Sequence, residues 1–120
     1  MAKVLIVDDA RVMRNILRVM FEKAGHEIVG DATSGVEAVQ KYSELHPDLV
    51  TMDIQMKNGD GMTALEQIRR LDPEARVIVV SALHADKRTQ ARDLGAAGFL
   101  DKPFRTDEFL QQIQTALAQS

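Results

Sequence analysis

Three short runs, Val4-Leu5-Ile6-Val7, Leu49-Val50-Thr51-Met52 and Val77-Ile78-Val79-Val80, are apolar almost throughout and show none of the period-two alternation of a half-exposed strand. Such runs suit strands covered on both faces, the situation of a parallel sheet between layers of helix. Each run also stops at a polar residue: Asp8-Asp9 after the first, Asp53 after the second and Ser81 after the third. An acid at the end of a buried segment is costly without a partner, so these ends are where chemistry is sought.

Helical spacing fills the intervals. Arg11 to Ala24 offers Val12, Ile16 and Val19 beside Met13, Leu17 and Met20, and Gly25 is placed to stop it. Glu27 to Asp31 is a weaker strand. Ser34-Gly35-Val36-Glu37 has capping-box spacing and opens a helix carrying Ala38, Val39, Tyr42 and Leu45, which Pro47 ends. Met62, Leu65, Ile68 and Leu71 form the stripe of a third helix closing before Asp72-Pro73. The segment Ala85 to Leu94 is helical by propensity but offers only Ala85, Ala91 and Leu94 as inward residues, so a loosely held helix is expected. Gly98-Phe99-Leu100 is a short fifth strand, and Thr106 is the expected cap of a last helix with the stripe Phe109, Leu110, Ile113 and Leu117.

Five strands alternating with five helices imply an α/β fold: a five-stranded parallel sheet in the order 2-1-3-4-5, helices on both faces and right-handed crossovers. In such open sheets ligands bind beyond the carboxyl ends of the strands, where the strand order reverses. That rule gathers Asp8, Asp9, Asp53, Ser81 and Lys102, the last just past strand five, at one edge. Carboxylates converging there repel one another, and a hard divalent cation with oxygen ligands, Mg²⁺, resolves the conflict. An incoming phosphoryl group would then meet the cation, the Lys102 ammonium and the Ser81 hydroxyl.

Composition narrows the classes. With 120 residues, 45% of them hydrophobic, the chain is expected to be one domain over 1–120. A net charge of −3 without a basic tail argues against nucleic acid, and the absence of cysteine excludes disulfides and thiolate metal sites. The apolar start is too short for a signal peptide or a membrane span, so a cytoplasmic protein off the membrane is expected, and a monomer. His26, His46 and His84 are scattered and are expected in solvated loops, without metal-ligand spacing. Met13, Met20, Met52 and Met62 are expected as core filling.

The acid pair Asp8-Asp9, the block Asp53-Ile54-Gln55-Met56, Asp60-Gly61, Ser81-Ala82, Gly98-Phe99 and Lys102-Pro103-Phe104 stand in the order and spacing of a response-regulator receiver domain, and the chain resembles that family over essentially its whole length. The run from Asp8 to Arg14 resembles its single-domain chemotaxis branch. The resemblance implies that Asp53 accepts a phosphoryl group from the phosphohistidine of a sensor histidine kinase or phosphotransfer protein. It implies that Asp8, Asp9, Asp53 and the backbone carbonyl of Gln55 hold Mg²⁺, that Lys102 pairs with the phosphoryl group through a residue whose bond to Pro103 is cis, and that Ser81 and Phe99 are the switch residues. The switched surface would be the fourth helix, fifth strand and last helix, presented to a flagellar motor switch or a phosphorelay partner, with a phosphatase as a further partner. Such a protein signals and does not turn over a metabolite as an enzyme.

One position departs from the family pattern: Lys57 stands where a proline is usual, which frees a φ angle and adds a cation near the acids. It leaves the conformation of residues 57–61 and the lifetime of the phosphoryl group open. Gln55 and Leu83 occupy the positions at which the family tunes dephosphorylation. Singly, every motif has an ordinary explanation: Asp8-Asp9 a helix cap, Asp53 and Ser81 turn residues, Lys102 a solvated charge, Phe99 core. Two other classes compete: a flavodoxin-like electron carrier, disfavoured by acids in the loop after strand one and by aromatics at only 4%, and a pseudo-receiver that keeps the fold without the chemistry.

Overall fold

The computed structural model describes residues 1–57, 60–82 and 85–119, with the Ala85 side chain left out. The expectations for His84, Leu83 and the inward placing of Ala85 lie outside the described residues. Strands β1 (Lys3–Val7), β2 (Glu27–Ala32), β3 (Leu49–Met52), β4 (Val77–Ser81) and β5 (Gly98–Asp101) alternate with helices α1 (Arg11–Lys23), α2 (Gly35–Leu45), α3 (Gly61–Leu71), α4 (Ala85–Asp93) and α5 (Thr106–Ala118). The sheet runs β2-β1-β3-β4-β5 with every pair parallel, as the uniform apolar runs require.

Side chains alternate across the sheet and so feed two cores. Leu5, Val7, Val50, Met52, Val77 and Val79 meet Ala38, Tyr42, Leu65, Ile68 and Ala91 of α2, α3 and α4 on one face. Val4, Ile6, Leu49, Ile78, Val80 and Leu100 meet Leu17, Phe21, Phe109 and Ile113 of α1 and α5 on the other, where Phe21 and Phe109 pack edge to face at 4.8 Å.

Several helix faces differ from the expected ones. On α1 the inward residues are Leu17 and Phe21, with Met13 and Met20 at the margin. Val12 is 72% exposed, and Ile16 and Val19 are also exposed, because apolar residues line both sides of this helix and only one side can face the sheet. Leu45 and Leu71 are exposed at the last residues of α2 and α3, and Leu110 is exposed next to the buried Phe109 on α5. Thr106 is the first residue of α5 and not its cap: the cap position is Arg105, whose backbone N–H donates to the Glu108 carboxylate at 3.3 Å. Ser34 does cap α2, accepting from Glu37 N–H at 3.1 Å, while the Glu37 carboxylate reaches back to Thr33 N–H. His26 is not a solvated loop residue. It is half-buried against Phe21, and its Nδ1 accepts the Ala2 N–H at 3.0 Å. His46 ends α2 in the left-handed region, with φ 46°.

Candidate active site

The chain leaves β1 for β2 on one side and returns to place β3 on the other, so the carboxyl ends of β1 and β3 lie side by side at the point of reversal. The ladder pairs Val7 with Met52, and Asp53 N–H donates to the Val7 carbonyl at 3.0 Å. That register forces Asp8 and Asp53 into proximity. Asp8 is 1% and Asp53 5% exposed, Asp9 is half-buried, and all three offer carboxylate oxygens within 4.8 Å of one another.

Lys102 closes the site from β5. Its N–H donates to the Ser81 carbonyl at 3.1 Å, fixing the strand end beside β4, and its ammonium lies 2.9 Å from Asp8 Oδ2 and 3.5 Å from Asp53 Oδ2. The Lys102-Pro103 bond is cis. One cation therefore serves two buried carboxylates, which leaves the site negative and oxygen-rich. Among the described residues the cluster offers three carboxylates without a nitrogen or sulfur ligand, a donor set suited to a hard divalent cation such as Mg²⁺.

The carboxylates are not free to turn. Ala10 N–H holds Asp8 Oδ1 and Gln55 N–H holds Asp53 Oδ1, both at 2.8 Å. Burial pushes the Asp53 carboxyl above the ordinary carboxylate range; the Gln55 amide and Lys102 oppose the rise, Asp8 adds to it, and the neighbouring Ser81 hydroxyl opposes it least. Ser81 Oγ is fully buried at the end of β4, beside the Asp53 carboxylate.

Phe99 is the one expected site residue away from the cluster. It is half-buried on β5, its ring lies under the Arg88 guanidinium at 5.4 Å, and Arg88 also pairs with Asp101.

The family model of the response regulator receiver domain matches residues 4–114. The chain belongs to that family. This receiver domain is 45% identical over 112 residues to the chemotaxis protein CheY of Thermotoga maritima, covering 92% of this chain and 93% of the relative. It is 44% identical over 116 residues to the CheY of Bacillus subtilis, covering 96% and 97%. Among solved structures, the CheX-CheY-BeF3-Mg complex of Borrelia burgdorferi is similar at a TM-score of 0.93 and 36% identity, over 98% of this chain and 90% of that one.

Three supports of the receiver site escaped sequence reasoning. Arg14 donates to the Asp8 carbonyl at 2.7 Å and pairs with Asp31 at 3.4 Å, anchoring the end of β1. Asp60 accepts Gly35 N–H at 2.9 Å and Val36 N–H at 3.2 Å, so the start of α3 caps the start of α2. The backbone N–H of Lys57 donates to Asp9 Oδ2 at 2.9 Å. For Arg14 the one available signal was its position a helical turn past the acid pair; the other two join residues 24 to 48 positions apart and leave no local trace.

Proposed function

We propose that this two-component receiver domain accepts a phosphoryl group on Asp53 from a phosphohistidine of a sensor kinase, in a Mg²⁺-dependent reaction, and acts in chemotaxis. The observation that carries the reading is the cluster Asp8, Asp9 and Asp53 with the Lys102 ammonium on two of its members. In the transfer an Asp53 carboxylate oxygen forms the new P–O bond as the P–N bond to the donor imidazole breaks, and the imidazole leaves with the electron pair. Asp8, Asp9, Asp53 and the Gln55 carbonyl would hold the ion. When bound, Mg²⁺ neutralises charge on the oxygens of the transferred group.

The chain's own residues do the rest. The Gln55 amide keeps one Asp53 oxygen turned away, so the other faces the incoming phosphorus. Lys102 exchanges its carboxylates for a phosphoryl oxygen, and the buried Ser81 hydroxyl donates to another. Movement of Ser81 lets Phe99 leave Arg88 and turn inward, which alters the surface of α4, β5 and α5 offered to a partner. The names of the relatives support chemotaxis over a phosphorelay, and the CheX complex supports a phosphatase as a further partner. No helix among the described residues is long and apolar enough to cross a membrane. The protein changes its own covalent state and turns over no metabolite.

Acetyl phosphate with Mg²⁺ is expected to add one phosphoryl group by mass, and Asp53→Asn to add none. Absence of any gain in the parent chain overturns the phosphoacceptor reading in favour of a pseudo-receiver.

A further inference from the structure

Each of the three clustered carboxylates accepts one backbone amide, and the amides differ in origin. Asp8 takes that of Ala10 and Asp53 that of Gln55, each two residues along the chain. Asp9 takes that of Lys57, 48 positions away, in the loop after β3. We infer that the Lys57 backbone N–H is a positioning group that aims the Asp9 carboxylate at the metal cluster.

Asp9 is the most solvent-exposed of the three acids. A carboxylate beside two buried like charges gains by rotating into water, and a charge-assisted bond from a fixed amide opposes that rotation. The bond occupies Oδ2 and leaves Oδ1 for an ion. The segment 55–57 is itself braced, since the Gln55 side chain donates to the Ala82 carbonyl at 3.0 Å and the Gln55 amide holds Asp53. Residues 55–57, Asp9 and Asp53 are therefore bonded into one unit. Outer groups that orient ligating carboxylates typically govern about 10- to 100-fold in metal affinity.

The donor belongs to the backbone, and the Lys57 side chain is exposed. Lys57→Ala keeps the N–H and removes an ammonium whose field is largely screened by water; Lys57→Pro deletes the N–H itself. The inference rests on the Mg²⁺ reading above, and the experiment separates the two. Titration calorimetry with magnesium chloride on the full chain is expected to give about 10-fold weaker binding for Lys57→Pro and a change within about twofold for Lys57→Ala. Lys57→Pro binding like the parent chain overturns the inference, and so does an equal loss in Lys57→Ala, which would assign the effect to the side chain. No binding by the parent chain removes the metal reading together with this one. If circular dichroism shows Lys57→Pro unfolded, the parent chain's own Lys57 amide decides by NMR: slowed hydrogen exchange and a resonance that moves with Mg²⁺ are expected, whereas exchange at the rate of an unstructured peptide overturns the inference.

Discussion

Asp53 carries its charge against its surroundings. Burial raises its carboxyl pKa above the ordinary 3.8, so its protonated form favours folding; that contribution is complete below the ordinary value and is lost as the pH rises through the raised one. At neutral pH the ionised group is a cost to the native state. Asp53→Asn is therefore expected to raise the Tm of the metal-free protein, and the difference should shrink as Mg²⁺ is added and stabilises the parent chain by mass action. Thermal melts with and without magnesium check both parts; a lower Tm for Asp53→Asn without metal would show that the Gln55 and Lys102 contacts outweigh desolvation. Lys57 illustrates what residue identity conceals. Its side chain suggested a stray cation, whereas the structure uses its backbone N–H, a donor that every residue but proline carries.

Gly61 begins α3 against the backbone of Asp53 and Ile54, just past β3. A Cβ built there would overlap the Asp53 carbonyl oxygen and the Ile54 Cα, backbone atoms that cannot yield without moving the strand end. Gly61→Ala is expected to cost about 3 kcal/mol in urea melts and to slow acetyl phosphate labelling, since the displaced group is the backbone of Asp53. At the opposite end of the sheet, the Tyr42 hydroxyl donates to Asp72 Oδ2 at 2.8 Å and joins α2 to the end of α3. That bond, aided by the Glu74 amide, lowers the Asp72 carboxyl below its ordinary 3.8, while burial first and the Asp72 bond second raise the Tyr42 hydroxyl. A depressed carboxyl stabilises the fold above its ordinary value and loses that contribution as the pH falls through the folded-state value. Tyr42→Phe should thus cost about 1 kcal/mol at neutral pH, and its deficit in urea midpoint should narrow as the pH drops below 3.8.

Elements of the two kinds were not equally legible. β1, β3 and β4 could be placed to within a residue because a strand buried on both faces must be apolar at every position, and the acids at their ends then fall at one edge by topology alone. Helix faces were harder. The sequence of α1 presents Val12, Ile16 and Val19 on one side and Leu17 and Phe21 on the other, and only docking on the sheet decides between them. Thr106 was a plausible cap by type, yet Glu108 two residues on already satisfies the preceding amide.

At the scale of the molecule, the acid cluster and the surface of α4, β5 and α5 are joined through the ends of β4 and β5. Ser81 stands at one strand end, Lys102 N–H is bonded to the Ser81 carbonyl, and Phe99 lies on the same β5 strand as Asp101, which holds the Arg88 that covers its ring. Gln112 of α5 accepts the Phe99 N–H at 3.1 Å, so α5 follows any movement of that residue. α4 is the element best suited to yield: its sequence is polar, and Ala91 is its single fully buried side chain among the described residues. A phosphoryl mimic should therefore be felt in two zones, near Asp53 by direct contact and near Phe99 by transmission. With Mg²⁺ and beryllofluoride, amide resonances of Gln55 and Lys57 and those of Arg88, Phe99 and Gln112 are expected to shift together in the parent chain. In Ser81→Ala the first group should still shift while the second stays within about a tenth of the parent response, because transfer of a two-state element requires the contact that distinguishes its states. Phe99→Ala should leave phosphorylation intact and remove the response of α4. If Ser81→Ala transmits the full shift, the path runs through Lys102 and β5 alone, and Ser81 serves only to hold the phosphoryl group.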